Sequence, residues 1–233
     1  MWSGPRNIST ALMRSWENRA DTRVVDEPLY AYYLDQTGLN HPGREEVIAA
    51  GETSWQAVVA ELTAPVDGVY YQKHMTHHLI PQLPRDWIPS LTNVLLIRDP
   101  AEVIASYVRS RSDVVAEDIG LVQQSELYDQ LGNDVPVIDA ADFLRAPEAY
   151  LRWLCDHAGV EFSERMLQWP PGPRGSDGVW APYWYDAVLA STGFEPYRAR
   201  SVELSGAALA AAEQSRPHFE RLYEARVRPE QLS

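Results

Sequence analysis

Cysteine and basic residues are both scarce in this chain of 233 residues. Cys155 is its single cysteine, which excludes an internal disulfide framework and a cysteine-rich zinc site. Lys and Arg number 20 against 33 Asp and Glu, so the formal net charge is −13. This balance argues against a general nucleic-acid binder, because such proteins hold the phosphate backbone with an excess of basic residues. A small anionic ligand is still compatible with it, since a few local donors are enough to hold one.

Long apolar runs are missing as well. No segment approaches the roughly 18 apolar residues of a membrane span, and no charged segment followed by an apolar signal-peptide stretch opens the chain. We therefore expect a cytoplasmic protein without a membrane partner. Hydrophobic residues make up 45% and charged residues 23%, which argues against disorder. The length favours one domain over residues 1–233, and a homo-oligomer is compatible with it.

Short apolar runs between polar residues predict buried strands of a parallel sheet. These runs lie at residues 24–25, 69–73, 93–97 and 135–138. Apolar residues with helical spacing lie at residues 8–16, 151–158 and 207–222. Because strands and helices alternate, we predict a three-layer α/β fold in which helices flank a parallel sheet.

Two stretches interrupt this alternation. Residues 36–65 contain two short helical patterns, which predict a helical cap over the sheet. Residues 168–198 are rich in Pro, Gly, Trp and Tyr, a composition typical of loops. Exposing so many aromatic side chains would be costly, so we interpret this stretch as a lid over the site rather than a linker.

A first candidate anion site opens the chain. It consists of Ser3, Gly4, Pro5, Arg6, Asn7, Ile8, Ser9 and Thr10, immediately before a predicted helix. The first N–H groups of a helix lack internal partners, and an arginine with two hydroxyls beside them is suited to a phosphate. The alternative is an ordinary helix start capped by Ser or Thr. The ATPase pattern GxxxxGK[ST] is absent, which disfavours a nucleotide triphosphatase.

A second candidate anion site follows the run at residues 93–97. Asp99 suits a helix N-cap, Pro100 suits the first helical position, and Glu102 would complete a capping box. Arg98 then lies at the carboxyl end of a strand, where open α/β sheets bind their ligands. Arg98 and Ser106 could hold one phosphate together. The alternative is a salt bridge of Arg98 beside a solvent-facing serine.

Two anion-binding turns on one sheet suit a nucleotide that is phosphorylated at two positions of its ribose. Here the chain resembles the sulfotransferases that use 3′-phosphoadenosine 5′-phosphosulfate (PAPS). Residues 5–10 resemble their P-loop-like PxSGTT element, which binds the 5′-phosphosulfate. Arg98 and Ser106 resemble their arginine and the serine eight positions later, which hold the 3′-phosphate. The resemblance implies a P-loop-type sheet, PAPS as donor, its product PAP (3′-phosphoadenosine 5′-phosphate), and no metal.

The rest of the chain carries the resemblance less evenly. Residues 135–167 are similar to a later strand, acidic loop and helix of the family. Arg174 lies in a weaker likeness to the loop that closes over the nucleotide, and is therefore a candidate nucleotide contact. Ile8 replaces the usual glycine. Only Met1 and Trp2 precede Ser3 where the family has a full strand, so we expect either a shortened strand or a less firmly anchored loop.

The resemblance offers two candidates for the base that deprotonates the acceptor. Glu27 resembles the strand-end glutamate, followed by proline and aromatics, that is the base in carbohydrate-type sulfotransferases. Lys73 and His74 are similar to the Lys-Thr-His element of cytosolic sulfotransferases, where the lysine contacts the leaving group and the histidine is the base. We interpret His77 and His78 as packing or capping residues.

The resemblance implies transfer of a sulfuryl group from PAPS to a hydroxyl or amine of a small molecule. An aromatic or apolar acceptor is favoured if the nearby aromatic side chains wall its pocket. These are Tyr30, Tyr32, Tyr33, Trp180, Tyr183, Trp184 and Tyr185. The alternatives are a P-loop kinase that uses Mg-ATP with Asp26 near the metal, and a nucleotide-binding module without catalysis.

Overall fold

The computed structural model describes residues 1–108, 114–199 and 201–232. Its sheet has five strands in the order β2-β3-β1-β4-β5, and every neighbouring pair is parallel. The strands are β1 (Trp2–Ser3), β2 (Thr22–Asp26), β3 (Val69–Met75), β4 (Leu95–Ile97) and β5 (Val137–Asp139). The four strands predicted from apolar runs are confirmed, and so is the three-layer α/β fold.

Strand β1 is the shortened strand that the resemblance allowed before the first anion turn, and its two residues carry no periodic signal of their own. It lies in the centre of the sheet, where Trp2 is paired with His74 on one side and Leu95 on the other. Its backbone is bonded further by Gln124, whose side-chain amide donates to the Trp2 carbonyl at 3.1 Å. The strand is short, yet neighbours on both sides hold the loop that follows it.

Helices cover both faces of this sheet. They are α1 (Ser9–Glu17), α2 (Tyr30–Thr37), α3 (Arg44–Ala50), α4 (Trp55–Leu62), α5 (Pro100–Tyr107), α6 (Leu121–Gln130), α7 (Ala140–Arg145), α8 (Pro147–His157), α9 (Ala181–Trp184), α10 (Asp186–Leu189) and α11 (Gly206–Glu224). Side chains of α4, α5, α6 and α11 pack on the face that carries Trp2 and Leu95. Those of α1 and α8 pack on the face that carries Leu96 and Ile138. Alternation along each strand produces these two apolar clusters.

The segments predicted as cap and lid fold against the body of the protein. In α4, Val58 and Leu62 join the core cluster on the Trp2 face. In α3, Val47 joins a smaller cluster with Trp180 and Tyr185, which belong to residues 168–198. Among the described residues, no helix is long and apolar enough to cross a membrane.

Helix α5 begins as predicted, with one difference. Asp99 is its N-cap and accepts a hydrogen bond from the Ala101 amide at 2.8 Å, and Pro100 is its first residue. The predicted capping box with Glu102 is wrong. The Glu102 carboxylate accepts hydrogen bonds from Arg98 and Tyr197 instead, because these strong donors lie beside it.

Candidate active site

A cleft of about 770 Å³ lies at the carboxyl edge of the sheet. Parallel strands leave their ligand-binding loops at this edge. The loop after β1 contributes residues 5–8, the end of β2 contributes Glu27, and the end of β3 contributes Lys73. Arg98 enters it from the end of β4, and residues 184–195 line another wall. Both candidate anion turns therefore open into one cleft.

The two anion turns contact each other directly. Nε of Arg6 donates a hydrogen bond to the Ser106 hydroxyl at 3.0 Å, and Nη1 of Arg98 donates to the Arg6 carbonyl at 2.9 Å. Arg6 has a φ of 54°, a left-handed conformation that is rare for a residue with a side chain. Such strain persists where surrounding bonds impose it, and it is concentrated at functional sites. The strained backbone here aims the arginine at the serine of the second turn.

Helix α1 begins at the floor of this end of the cleft. Pro5, Asn7, Ser9 and Thr10 line the cleft beside it. Asn7 fixes the turn, since its amide donates to the Leu96 carbonyl at 3.2 Å and its oxygen accepts the Ile8 N–H at 2.8 Å. The N-cap residue, Ile8, has no side-chain oxygen for the first amides of α1. A bound anion would accept hydrogen bonds from those amides.

Gly4 lies behind the cleft rather than in its wall. A Cβ atom at this position would come within 2.1 Å of the Ile119 carbonyl oxygen. The glycine therefore allows the loop to pack against the turn at Ile119. Gly4 therefore does not line the cleft with the other residues of the candidate anion turn; it permits the close packing of that turn.

Arg98 is held on both sides of its guanidinium. Its Nε and Nη2 donate to Glu102 at 3.0 and 2.9 Å, and the Tyr197 hydroxyl donates to the other oxygen of that carboxylate at 2.8 Å. The salt bridge considered as the alternative for Arg98 is thus present. It coexists with a position in the cleft wall beside Ser106.

A charged cluster lies at the ends of β2 and β3. Nζ of Lys73 donates to Asp26 at 2.7 Å, to Glu27 at 2.6 Å and to the Tyr185 hydroxyl at 2.9 Å. Tyr185 in turn donates to the second oxygen of Asp26 at 2.6 Å. The side chains of Lys73 and Asp26 are each 1% exposed and that of Glu27 is 12% exposed. Glu27 is therefore the carboxylate of this cluster that faces the cleft.

Burial and charge oppose each other in this cluster. Burial disfavours the charged form of Lys73, but Asp26 and Glu27 outweigh it and hold the lysine pKa well above its usual value. Burial raises the pKa of Glu27 above the 4.5 usual for glutamate, against the opposing effect of Lys73. Glu27 also has a φ of 43°. A carboxylate with a raised pKa, held beside a cation by a strained backbone, is suited to accept a proton.

His74 lies on the other face of β3, outside the cleft. Its ring stacks on Trp2 at 4.1 Å between centroids, and its Nε2 is 3.1 Å from the Gln72 side-chain oxygen. Consecutive strand residues point to opposite faces. Because Lys73 points into the cleft, the side chain of His74 points into the core on the other face. The structure therefore does not bring His74 to Glu27 and Lys73.

The aromatic residues divide between the cleft and its surroundings. Tyr30, Trp184 and Tyr185 line the cleft. Trp180 packs behind Tyr185 and donates to its hydroxyl at 3.2 Å. The remaining three lie elsewhere: Tyr32 joins the core cluster on the Trp2 face, Tyr33 packs against the histidines, and Tyr183 is largely exposed.

Arg174 lies away from the cleft lining. Its Nη2 donates to the Pro170 carbonyl at 3.3 Å, and its Nη1 is 4.0 Å from Glu17 near the C-terminal end of α1. The neighbouring Asp177 forms a buried ion pair with Arg14 at 2.7 Å. This part of residues 168–198 is therefore fastened to the side of α1, and the structure does not bring Arg174 to the anion turns.

Sequence reasoning missed three residues of this site as site residues. The sequence places Asp26 only in the kinase alternative, groups Tyr185 with the wall aromatics without a role for its hydroxyl, and gives no signal for His41. His41 lines the cleft, and its Nδ1 is 2.9 Å from the Tyr30 hydroxyl. Asp26 could have been found from the sequence, because it lies at a strand end beside Glu27. Among the described residues, no group of three or more His, Cys, Asp or Glu side chains is arranged to hold a metal ion.

Comparison with known proteins places the chain in a family. A model of the sulfotransferase domain matches residues 1–220. Branched-chain-amino-acid aminotransferase-like proteins 1 and 2 of Arabidopsis thaliana are 39% and 36% identical over 198 residues, 83% of this chain. The match spans only 36% and 35% of their own length.

Solved structures agree on the fold. The sulfotransferase domain from the Synechococcus PCC 7002 olefin synthase has a TM-score of 0.52 to this chain at 18% identity. The similarity covers 91% of this chain and 92% of that one. Because the family model also covers nearly all of the sequence, this chain belongs to the sulfotransferase domain family.

Proposed function

We propose that this protein transfers a sulfuryl group from PAPS to a hydroxyl or amine of a small molecule. One observation carries the proposal. The anion turns at Arg6 and Arg98 and the charged cluster around Lys73 open into the same cleft. A donor with phosphates at two ribose positions needs both turns, and transfer needs a base and a cation beside them.

The donors around the cleft fit the anionic groups of PAPS. Arg6, Ser9, Thr10 and the first amides of α1 would hold the 5′-phosphosulfate. Arg98 and Ser106 would hold the 3′-phosphate, since a guanidinium and a hydroxyl bind a phosphate by charge-assisted hydrogen bonds. When bound, PAPS supplies an activated sulfuryl group and leaves as PAP.

The residues of the charged cluster perform the remaining tasks. Glu27 removes the acceptor proton, because it is the carboxylate of the cluster that faces the cleft and burial raises its pKa. Lys73 stabilises negative charge on the leaving oxygen. Asp26 and Tyr185 keep the ammonium charged and in position. Residues 168–198 would act as a lid, and their Trp184 and Tyr185, which line the cleft, would form part of the acceptor pocket.

The kinase alternative is disfavoured by the placement of Asp26. Both of its oxygens are occupied, one by Lys73 and the other by Tyr185, and its side chain is buried. An aspartate that holds Mg²⁺ through bound water needs access to solvent and to the phosphates. The sequence also lacks the second glycine and the lysine of the ATPase loop.

Nucleotide binding tests the proposal at the donor. We expect PAP to raise the melting temperature and ADP with Mg²⁺ to leave it unchanged, because the 3′-phosphate engages Arg98 and Ser106. Differential scanning fluorimetry with both nucleotides measures this. Stabilisation by ADP with Mg²⁺ but not by PAP would contradict it. Stabilisation by PAP without sulfuryl transfer to any acceptor of a broad panel would favour the non-catalytic binding module.

Ser106→Ala tests the second anion turn. The variant loses one hydrogen bond to a charged phosphate and the partner of Arg6 Nε. We expect PAP affinity to weaken by about 1.5–3 kcal/mol, roughly tenfold to 150-fold. Calorimetric titration with PAP measures it. Ser90→Ala, at an exposed serine remote from the cleft lining, is the control. Equal affinity in both variants would remove Ser106 from the site.

A further inference from the structure

A buried imidazole lies directly behind Glu27. His78 ends the short 3-10 turn Thr76–His78 that follows β3, and its side chain is 1% exposed. Its Nε2 lies 4.0 Å from Oε2 of Glu27, the carboxylate oxygen that does not bind Lys73. Within the described part of the chain, neither ring nitrogen of His78 has a hydrogen-bond partner. Buried polar groups are rarely left in this state, so the imidazole requires an explanation.

Aromatic neighbours fix the ring of His78, and burial keeps it neutral. It stacks on Tyr30 with 4.9 Å between centroids and packs against Tyr33 at 4.7 Å. Burial, and after it the neighbouring His77, lowers the pKa of His78 well below 6.5. A neutral imidazole has one nitrogen that accepts a hydrogen bond. In the tautomer that carries its proton on Nδ1, Nε2 is this acceptor, and it lies just beyond bonding distance of the proposed base.

A hydrogen-bond acceptor near Glu27 matters because every N–H donor of Lys73 is already occupied. An ammonium has three N–H donors, and all three are taken by Asp26, Glu27 and Tyr185. None is left for a leaving oxygen unless one partner lets go. Asp26 is buried and also bound by Tyr185, whereas Glu27 faces the cleft and binds Lys73 through one oxygen. Glu27 is therefore the partner that can change.

We propose, resting on the sulfotransferase function above, that His78 accepts a hydrogen bond from Glu27 once Glu27 is protonated, which releases one N–H of Lys73 for the leaving oxygen. The acceptor's hydroxyl proton passes to Glu27 as a lone pair of the acceptor oxygen forms the new S–O bond. The S–O bond to the donor phosphate breaks, and its electron pair stays on the phosphate oxygen. The neutral carboxyl of Glu27 holds Lys73 less firmly and turns its O–H to His78.

This assigns His78 a positioning role rather than a catalytic one. It does not line the cleft, and Tyr30 and Tyr33 cover its ring, so it cannot take the proton from an acceptor itself. Its effect passes through Glu27. A residue that only packs would affect Glu27 variants and wild type alike, which distinguishes the two roles.

The first test is a crystal structure of Glu27→Gln with PAP. A glutamine mimics the protonated carboxyl, since it is neutral and has N–H donors. We expect its amide nitrogen to lie within hydrogen-bond distance of His78 Nε2, about 3 Å. A side chain that keeps the 4.0 Å separation found here would overturn the proposal. This readout needs no activity, so it decides the role of His78 even if PAPS is not the donor.

The second test is a double-mutant cycle of His78→Phe and Glu27→Ala, because alanine removes the group through which His78 would act. Phenylalanine keeps the stacking on Tyr30 and has no nitrogen, so we expect kcat about tenfold lower with PAP affinity unchanged. His78→Gln, whose amide oxygen accepts, should recover part of that loss. In Glu27→Ala, which has no group that could bind His78 and leaves one N–H of Lys73 unpaired already, the His78→Phe change should alter kcat less than about twofold.

Each result of the cycle decides the question. Equal losses in the two backgrounds, or no recovery in His78→Gln, would show that His78 only packs. If His78→Phe does not fold, His78→Met enters the cycle as an apolar side chain of similar length. Wild type without transfer from PAPS would refute the proposed function, and the crystal structure would then judge the His78 contact separately.

Discussion

Lys73→Met is expected to lower kcat by about 10²–10³-fold, because removing a preorganised donor to a developing negative charge has effects of that size. Methionine keeps the length and most of the volume of the lysine stem, so the change is confined to the ammonium. PAP binding should persist, since the anion turns at Arg6 and Arg98 are separate from the cluster. Sulfuryl transfer from PAPS, followed by mass spectrometry of the product, measures kcat.

The same variant should be less stable by about 3–5 kcal/mol, because Asp26 and Glu27 lose the cation that compensates their buried charge. Without Lys73, the folded-state pKa of Glu27 rises further above its unfolded value. A group with a raised folded pKa destabilises the fold as pH climbs through the range between the two values. The stability deficit should therefore be smaller at pH 5 than at pH 8. Denaturant unfolding at both pH values measures it.

A double variant separates the two effects of Lys73. Asp26→Asn added to Lys73→Met removes one of the uncompensated charges, so part of the lost stability should return while transfer stays low. Recovery of transfer together with stability would show that the lysine matters only for folding. Wild-type kcat in Lys73→Met would remove the ammonium from the leaving group altogether.

The order of the elements could be predicted from the sequence, because each strand except β1 is a short apolar run with polar ends. The helix start at Asp99 and Pro100 could also be predicted from local sequence, and it placed Arg98 at the end of a strand. Once parallel strands are assumed, their carboxyl ends share one edge, so the meeting of Arg6 with Ser106 follows from topology. These features depend on local pattern and on connection rules alone.

What the sequence could not supply are contacts between distant segments. Tyr185 reaches Asp26 across 159 positions of the chain, and no periodicity predicts which hydroxyl of an aromatic stretch will do so. Glu102 turned to Tyr197 and Arg98 because tertiary donors compete with a local capping box. The position of His74 was different, since strand alternation alone separates it from Lys73, and the sequence already contained that signal.

Because strand alternation turns His74 away from the cleft, Glu27 is the candidate base that remains. Glu27→Gln should lower kcat by about 10²–10⁴-fold and leave PAP affinity unchanged, because an amide fills the same space but accepts no proton. In wild type, kcat/KM should rise with pH through a pKa above the 4.5 usual for glutamate, since burial raises it and the base acts ionised. Steady-state kinetics at saturating PAPS, with the acceptor varied, measures kcat and kcat/KM. The pH runs from 4.5, the usual pKa of glutamate, to about 9, where lysine with its usual pKa of 10.5 is still charged.

His74→Phe is the matched comparison for Glu27→Gln. Phenylalanine preserves the stacking on Trp2 and the tilted contact with Trp87 but has no ring nitrogen to act as a base. Burial lowers the pKa of His74 well below 6.5, and its ring lies on the core face of β3, so we expect kcat within about threefold of wild type. Loss of transfer in His74→Phe with retention in Glu27→Gln would reverse the assignment of the base. That result would also require β3 to present consecutive side chains to one face, which its parallel pairing with β1 and β2 forbids.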